Sequence, residues 1–256
     1  MTVPNAARMY DYSLGGYHNF AVDREFVDRA EKLMPGASWG SHANRAFVGR
    51  SVRWLVEVGI RQFLDIGSGI PTLGNVHQIA QQAAPESRVL YVDIDPVAVA
   101  HSRALLAGNP RAEVIQGDVR AAAEIVYHPD VVRLLDFSRP VAVLLNAVLH
   151  FVPDADDPAD LVAQLCESLV SGSYLTITHA TPIPALSAEQ DDLRALYEST
   201  PTSLHYRTKD QVVAMLAGFE LVEPGLVNVT DWRPDPDEAD DPPPAAVPIA
   251  AVARKI

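Results

Sequence analysis

The sequence predicts an α/β protein built on a doubly wound, mostly parallel sheet. Two observations carry this. After residue 60, short apolar runs alternate with segments of helical periodicity, the pattern of repeated βαβ units. The first four runs also hold few interior polar residues, as strands covered on both faces do.

The elements follow in order. Val22, Phe26, Ala30 and Leu33 form one helical stripe, ended by Pro35-Gly36. Ser41 is placed to cap a second helix running to about Val58, with Phe47, Val48, Val52, Leu55 and Val56 as its stripe and Gly59 at its C′ position. Residues 1–58 thus read as a helical arm belonging to the same domain as residues 59–256. The strand runs are 62-QFLDI-66, 88-RVLYVD-93, 112-AEVIQ-116, 140-PVAVLLN-146 and 173-SYLTITH-179. Helices are expected over 74–84, 96–107, 119–135 and 158–170. Cys166 falls on the apolar stripe of the last and reads as a core residue. Helices over 187–199 and 208–217 and a strand over 219–229 come next. Residues 231–244 hold six acids and five prolines, the composition of an exposed loop or hairpin tip. The run 245–256 returns as a last strand, which Pro248 would push towards an edge or a bulge.

Composition narrows the function. The chain has 256 residues, 48% of them hydrophobic, and a formal net charge of −13. Such acidity argues against nucleic acid or an anionic membrane as a partner, since both need Lys and Arg. One cysteine permits neither an intramolecular disulfide nor a cysteine metal site, and the eight histidines show no paired ligand spacing, so no metal is expected. No signal-peptide pattern and no run of ~20 apolar residues is present, so the expected location is cytoplasmic. Oligomeric state is left open.

Three acids stand at three strand ends. The first strand ends in Asp65-Ile66-Gly67-Ser68-Gly69, the second in Asp93-Ile94-Asp95-Pro96, the third in Gly117-Asp118-Val119. Ligands of a doubly wound sheet bind at the carboxyl ends of the strands, so three carboxylates should meet in one crevice. A pyrophosphate prefers bare N–H groups and repels acids. S-adenosylmethionine suits the acids: it carries a sulfonium, an ammonium, ribose hydroxyls and an adenine amine, and no phosphate. Gly67 and Gly69 would let the backbone approach it, with Ser68 between them. Asp65 would favour the ammonium, Asp93 the ribose and Asp118 the adenine amine, with Ile94 and Val119 beside the last two. A hydrogen bond to a charged acceptor is worth roughly 1.5–3 kcal/mol. Asp95 reads instead as a helix N-cap with proline at N1. Taken singly, Gly-x-Gly marks only a tight turn and a strand-end acid only a cap; the ordered set carries the reading. A nicotinamide dinucleotide calls for neither Asp65 nor Asp118, and wants a third glycine where Pro71 stands.

The stretches 63-FLDIGSGIPT-72, 91-YVDIDP-96, 117-GDVR-120 and 144-LLNAVLHFVPD-154 resemble the class I S-adenosylmethionine-dependent methyltransferases. More closely, 8-RMYDYSLGGYHNF-20 and 70-IPTLGNVH-77 are similar to an actinobacterial branch known as a domain of unknown function. The resemblance covers almost the whole chain. It implies a seven-stranded Rossmann-like sheet of order 3-2-1-4-5-7-6 with the last strand antiparallel. It also implies cofactor contacts at Gly67, Ser68, Gly69, Asp93, Asp118 and Asn146. The chain departs from the wider class at Pro71, in the longer path from Gly69 to the first helix, and in the acidic proline-rich loop.

Aromatic and hydrogen-bonding groups surround Gly15-Gly16, so residues 8–20 are expected to fold over the crevice as a lid. Arg8, Tyr10, Asn19 and Arg24 are then candidate cofactor contacts, with Arg8 or Arg24 holding the carboxylate. The competing reading is an arm packing its aromatics on the sheet. Methyl transfer asks mainly for alignment and exclusion of water. His150, four residues after Asn146, should reach the crevice as a base or a substrate anchor, or else as a packing residue. His179 is a weaker candidate. The expected function is methyl transfer to a small-molecule acceptor. The alternatives are an S-adenosylmethionine-binding sensor without transferase activity and, less favoured, an NAD(P)-dependent oxidoreductase.

Overall fold

The computed structural model describes residues 3–71, 74–236 and 247–256. Three helices come first: α1 (Ala6–Ser13), α2 (Ala21–Leu33) and α3 (Ala37–Glu57). The alternating part runs β1 (Gln62–Ile66), α4 (Val76–Ala83), β2 (Arg88–Asp93), α5 (Pro96–Leu105), β3 (Ala112–Gln116), α6 (Ala122–Val126), α7 (Pro129–Leu134), β4 (Ala142–Asn146), α8 (Pro158–Glu167) and β5 (Tyr174–His179). It closes with α9 (Ser187–Tyr197), α10 (Lys209–Ala214), β6 (Phe219–Leu221), β7 (Val227–Asn228) and β8 (Ile249–Lys255).

The strands lie in the order β3-β2-β1-β4-β5-β8-β6, with β7 also paired to β8. β1 to β5 are parallel, and β8 runs antiparallel to β5, β6 and β7. With β8 as the closing strand, this is the arrangement the resemblance implied. The order reverses between β1 and β4, which puts the crevice at their carboxyl ends. Alternate residues of each strand feed two cores. Leu64, Leu90, Val143 and Leu175 face one layer, and Phe63, Val89 and Leu144 face the other, where α3 lays down Phe47, Val52 and Leu55.

Several boundaries differ from expectation. α3 starts at Ala37, not after Ser41: Gly36 takes the cap position at φ +92°, so Pro35-Gly36 joins two helices directly. Gly59 does adopt φ +100° beyond the helix end. The helix expected over 119–135 is broken, because Pro129 opens α7 with His128 as its cap. The strand expected over 219–229 is two short strands separated by a turn at Glu223-Pro224-Gly225, each on a different stretch of β8. β8 is interior and not at an edge: Pro248 precedes its first residue and costs the ladder nothing.

The described part of the acidic segment, 231–236, is largely exposed as expected, with one exception. Trp232 is fully buried, edge-on to Phe47 at 5.4 Å, and its carbonyl accepts from Arg50 Nε at 3.0 Å. The rest of that loop, from 237 to 244, and the first two residues of the 245–256 run lie outside the described residues. Cys166 is buried in the core, and burial pushes its thiol up to about 12.

Candidate active site

A cavity of about 610 Å³ opens at the carboxyl ends of β1 to β5. That is within the range of ligand pockets, roughly 300–1,000 Å³. Its floor is the strand ends and its roof is α1, α2, α9 and the first half of α3, with residues 201–206 closing one side.

At one end, β1 passes through Asp65 into the glycine turn. Gly67 has φ +70°, and a Cβ there would lie 2.6 Å from Val148 Cγ2, so only glycine fits. Gly69 has φ +68° with open space where a side chain would be. Its N–H donates to Asp93 Oδ2 at 2.7 Å, while Asp93 Oδ1 accepts from the Asp95 N–H at 2.8 Å. Asp93 is thereby fixed in orientation with lone pairs to spare. Burial pushes its carboxyl up to about 6, against the two N–H donors that favour its charge. Burial likewise raises Asp65 to about 7; Arg45 opposes the shift and Asp93 adds to it.

Asp118 is less buried. Burial raises its carboxyl, but Arg120 outweighs that and holds it below the ordinary range: Arg120 Nε donates to Oδ2 at 2.9 Å. Asp95 caps α5 by accepting from the Val97 N–H at 3.0 Å, with Pro96 at N1, as expected. Asn146 ends β4; its Oδ1 accepts from Thr176 at 3.1 Å and its Nδ2 is buried without a partner. The next residue, Ala147, holds φ +57°, a strained position for a residue with a Cβ. Its N–H donates to Thr178 Oγ1 at 2.8 Å, which steadies the turn that presents Asn146 and Val148.

The expected N-terminal residues divide. Tyr10 lines the cavity, donating to the Ser41 carbonyl at 3.0 Å and accepting from Asn44 Nδ2 at 2.8 Å. Arg8 is buried in a structural pairing: Nε to Asp23 at 2.9 Å, Nη1 to Asp95 at 3.0 Å and Nη2 to the Val3 carbonyl at 2.8 Å. Every face of that guanidinium is engaged. Asn19 donates to Asp11 and to the Gly16 carbonyl, and Arg24 donates to Asn19. None of these three lines the cavity among the described residues. Ile94 and Val119 do.

Among the described residues, two cations line the cavity, Arg120, which is paired to Asp118, and Arg45, which sequence reasoning missed. Arg45 comes from α3, lies near Asp65, stacks over Tyr10 with 5.5 Å to the ring centroid, and its Nε is buried without a partner. A signal was present: counted along the helix, 45, 48, 52 and 55 fall on one face, so Arg45 sits on an apolar stripe where a charge is out of place.

The other end is apolar. Met9, Phe26, Val27, Ala30, Leu193 and Leu204 form a separate cluster beneath the roof, with Phe151, Tyr197 and Tyr206 against it. His150 lies on this wall, with a ring centroid 4.3 Å from Phe151, and its Nδ1 is buried without a partner. Burial first, then His179 and Arg207, hold it well below the ordinary histidine range, so the ring is neutral. His179 is tied at both nitrogens, Nδ1 to the Ala180 carbonyl at 2.7 Å and Nε2 from Arg207 Nη1 at 3.1 Å. Burial lowers it to about 4, and both contacts are structural.

The model of the S-adenosyl methyltransferase family matches residues 1–256. The chain belongs to that family. It is an S-adenosylmethionine-dependent methyltransferase. It is similar to the crystal structure of a DUF574 family protein from Streptomyces avermitilis, at 40% identity over 99% of this chain and 98% of that one, with a TM-score of 0.94. A protein of Thermobifida fusca YX is 41% identical over 100% of this methyltransferase and 96% of its own length, TM-score 0.91. At 17% identity, a Methanosarcina mazei methyltransferase shares the fold alone, with a TM-score of 0.53. Among curated proteins, none matches the sequence. The described residues contain no cluster suited to a metal and no helix long and apolar enough to cross a membrane.

The residues at the strand ends fit the cofactor the family uses. The unpartnered Arg45 Nε, Ser68 Oγ and Asn146 Nδ2 are donors that the carboxylate and the other acceptor atoms of that cofactor would satisfy. The acids Asp65 and Asp93 are the acceptors that an ammonium and two ribose hydroxyls would satisfy.

Proposed function

We propose that the charged end of the cavity holds S-adenosylmethionine and that the apolar end holds a small-molecule acceptor. When bound, the cofactor supplies an electrophilic methyl group on a sulfonium leaving group. Arg45 takes the methionine carboxylate, the part first assigned to Arg8 or Arg24. Asp65 faces the ammonium, Gly67, Ser68 and Gly69 run along the methionine portion, and Asp93 accepts from the ribose. Ile94 and Val119 flank the adenine, Asp118 receives its amine, and Asn146 supports the nucleoside side. Arg8, Asn19 and Arg24 serve the roof: Arg8 pins α1 to α2 and to the Asp95 cap, and the other two brace the Gly15-Gly16 turn. Residues 1–58 are thus a lid integral to the single domain. His150 is an anchor for the acceptor, since a ring this poorly basic makes a weak general base.

The observation that carries this reading is the segregation of charge. Arg45, Asp65, Asp93, Asp95, Asp118 and Arg120 all lie at the strand-end side, and no charged residue lines the apolar side among the described residues. Calorimetry with S-adenosylhomocysteine and with NAD tests it. Binding of the first and not the second is expected; the reverse result would overturn it. The sensor alternative has no observation in its favour, because the apolar end continues past the cofactor acids into a second, lined compartment.

A further inference from the structure

We propose that Thr178 is a positioning residue for cofactor binding, and that Asn44 and Tyr10 tie its hold to the seating of the roof helix α1. This rests on the assignment of the charged end to the cofactor, and goes beyond it by giving a role to a chain of polar groups behind the site.

The part to be held is the turn after β4. Ala147 stands at φ +57°, which a side chain disfavours at a cost comparable to one hydrogen bond. Its two neighbours both serve the charged end. Asn146 takes the Thr176 hydroxyl proton on Oδ1 at 3.1 Å, which turns its unpartnered Nδ2 the other way. Val148 packs on the glycine turn, so closely that a Cβ on Gly67 would lie 2.6 Å from its Cγ2. A relaxed turn would withdraw both from the strand ends.

The hold is a chain of hydrogen bonds whose direction is fixed at both ends. At one end the Ala147 N–H can only donate. It donates to Thr178 Oγ1 at 2.8 Å, and the Thr178 carbonyl at 3.4 Å is a poorer second acceptor. At the other end the Ser41 carbonyl can only accept, and it takes the Tyr10 hydroxyl proton at 3.0 Å. Tyr10 Oη therefore accepts from Asn44 Nδ2 at 2.8 Å, and the Thr178 hydroxyl donates to Asn44 Oδ1 at 2.6 Å. Reversing the Asn44 amide would leave the Thr178 proton without an acceptor and set two acceptors on the one Tyr10 proton.

The path thus runs from α1 through α3 and β5 to the β4 turn. Asn44 and Thr178 are both buried, where a polar group is costly unless it is paired. Here every link is paired, and the path ends at a strained residue. Thr178 Oγ1 holds Ala147 in a conformation it would otherwise leave, and Tyr10 fixes which face Asn44 shows to Thr178. Seating the roof and shaping the cofactor turn become one event.

The test is calorimetry of S-adenosylhomocysteine binding to the full chain, with thermal unfolding of each variant alongside. Thr178→Val keeps the shape, loses the hydroxyl and should weaken binding about tenfold. Thr178→Ser keeps the hydroxyl and should stay within about threefold of the wild-type chain. Glycine adopts positive φ freely, so Ala147→Gly added to Thr178→Val should recover most of the loss. Ala147→Gly alone completes the cycle, so that a general tightening by the glycine is not counted as recovery. Tyr10→Phe should cost about threefold in the wild-type chain and nothing further in Thr178→Val. Thr178→Val binding within about twofold of wild type, an equally weak Thr178→Ser, no recovery with Ala147→Gly, or full additivity of Tyr10→Phe overturns the proposal. Should Thr178→Val not fold, Tyr10→Phe with and without Ala147→Gly makes the same comparison: recovery by the glycine supports the chain, and its absence overturns it. If S-adenosylhomocysteine fails to bind the wild-type chain, the cofactor assignment falls and takes this one with it. If it binds and the variants match the wild type, this one falls alone.

Discussion

The two ends of the cavity are made by different means. The charged end is local in sequence: each ligand group stands at or just after a strand, and the parallel sheet brings the tips together. The apolar end is assembled from distant pieces, α1, α2, Phe151, α9 and residues 201–206, which no local pattern brings together. Backbone geometry and buried charge make the first end intolerant of change. The second is a packed wall, adjustable one side chain at a time. One scaffold can therefore keep its cofactor while its acceptor varies.

That contrast is open to breakage, and Gly67 is the strongest lever. Gly67→Ala adds a Cβ against Val148 on a backbone that resists it, and should reduce S-adenosylhomocysteine affinity by about a hundredfold, roughly 2.8 kcal/mol. Wild-type affinity by calorimetry would show the glycine turn is not where the cofactor lies. Next is Asp93→Asn. It keeps an acceptor for one N–H but loses the charge, and a fall of about tenfold to a hundredfold is expected.

Arg45→Gln sharpens the picture within the charged end. It should cost about tenfold for S-adenosylhomocysteine and nothing for adenosine, which lacks the carboxylate. Equal loss for both ligands would move Arg45 out of the methionine site.

The pH response separates the acids. Asp65 and Asp93 ionise late in the free protein, at about 7 and about 6, and the ammonium at Asp65 and the ribose hydroxyls at Asp93 favour their charged forms. Binding should therefore release protons around neutrality. Affinity should fall as pH drops through about 7 and then about 6, by at most about tenfold per unit for each group. Asp65→Asn should flatten the upper part of that curve; a curve unchanged in the variant would refute the role of Asp65. The smallest effect is expected at the other end. Phe151→Ala should leave S-adenosylhomocysteine affinity within about twofold, and a large loss of cofactor affinity would mean the two compartments are not separate.

The strand ends were legible because a sheet of period two and a glycine turn write themselves into adjacent letters. Asp65, Gly67, Gly69, Asp93, Asp118 and Asn146 all come to the cavity from such positions. Arg8 was misjudged for the opposite reason. Its partners Asp23 and Asp95 are 15 and 87 residues away, and no local pattern says that an arginine is already paired. Trp232 misled similarly: a tryptophan within an acidic, proline-rich stretch is buried because Phe47 and Trp54 wait for it on α3.

By itself the sequence determined the alternation of strand and helix, the glycine turn and the acids around it, since these depend on residues a few positions apart. Tertiary structure decided which arginine faces the cavity and which is consumed in pairing, where β8 inserts, and what closes over the strand ends. Those outcomes depend on which surfaces meet after the chain has folded, and burial and pairing are properties of neighbours in space.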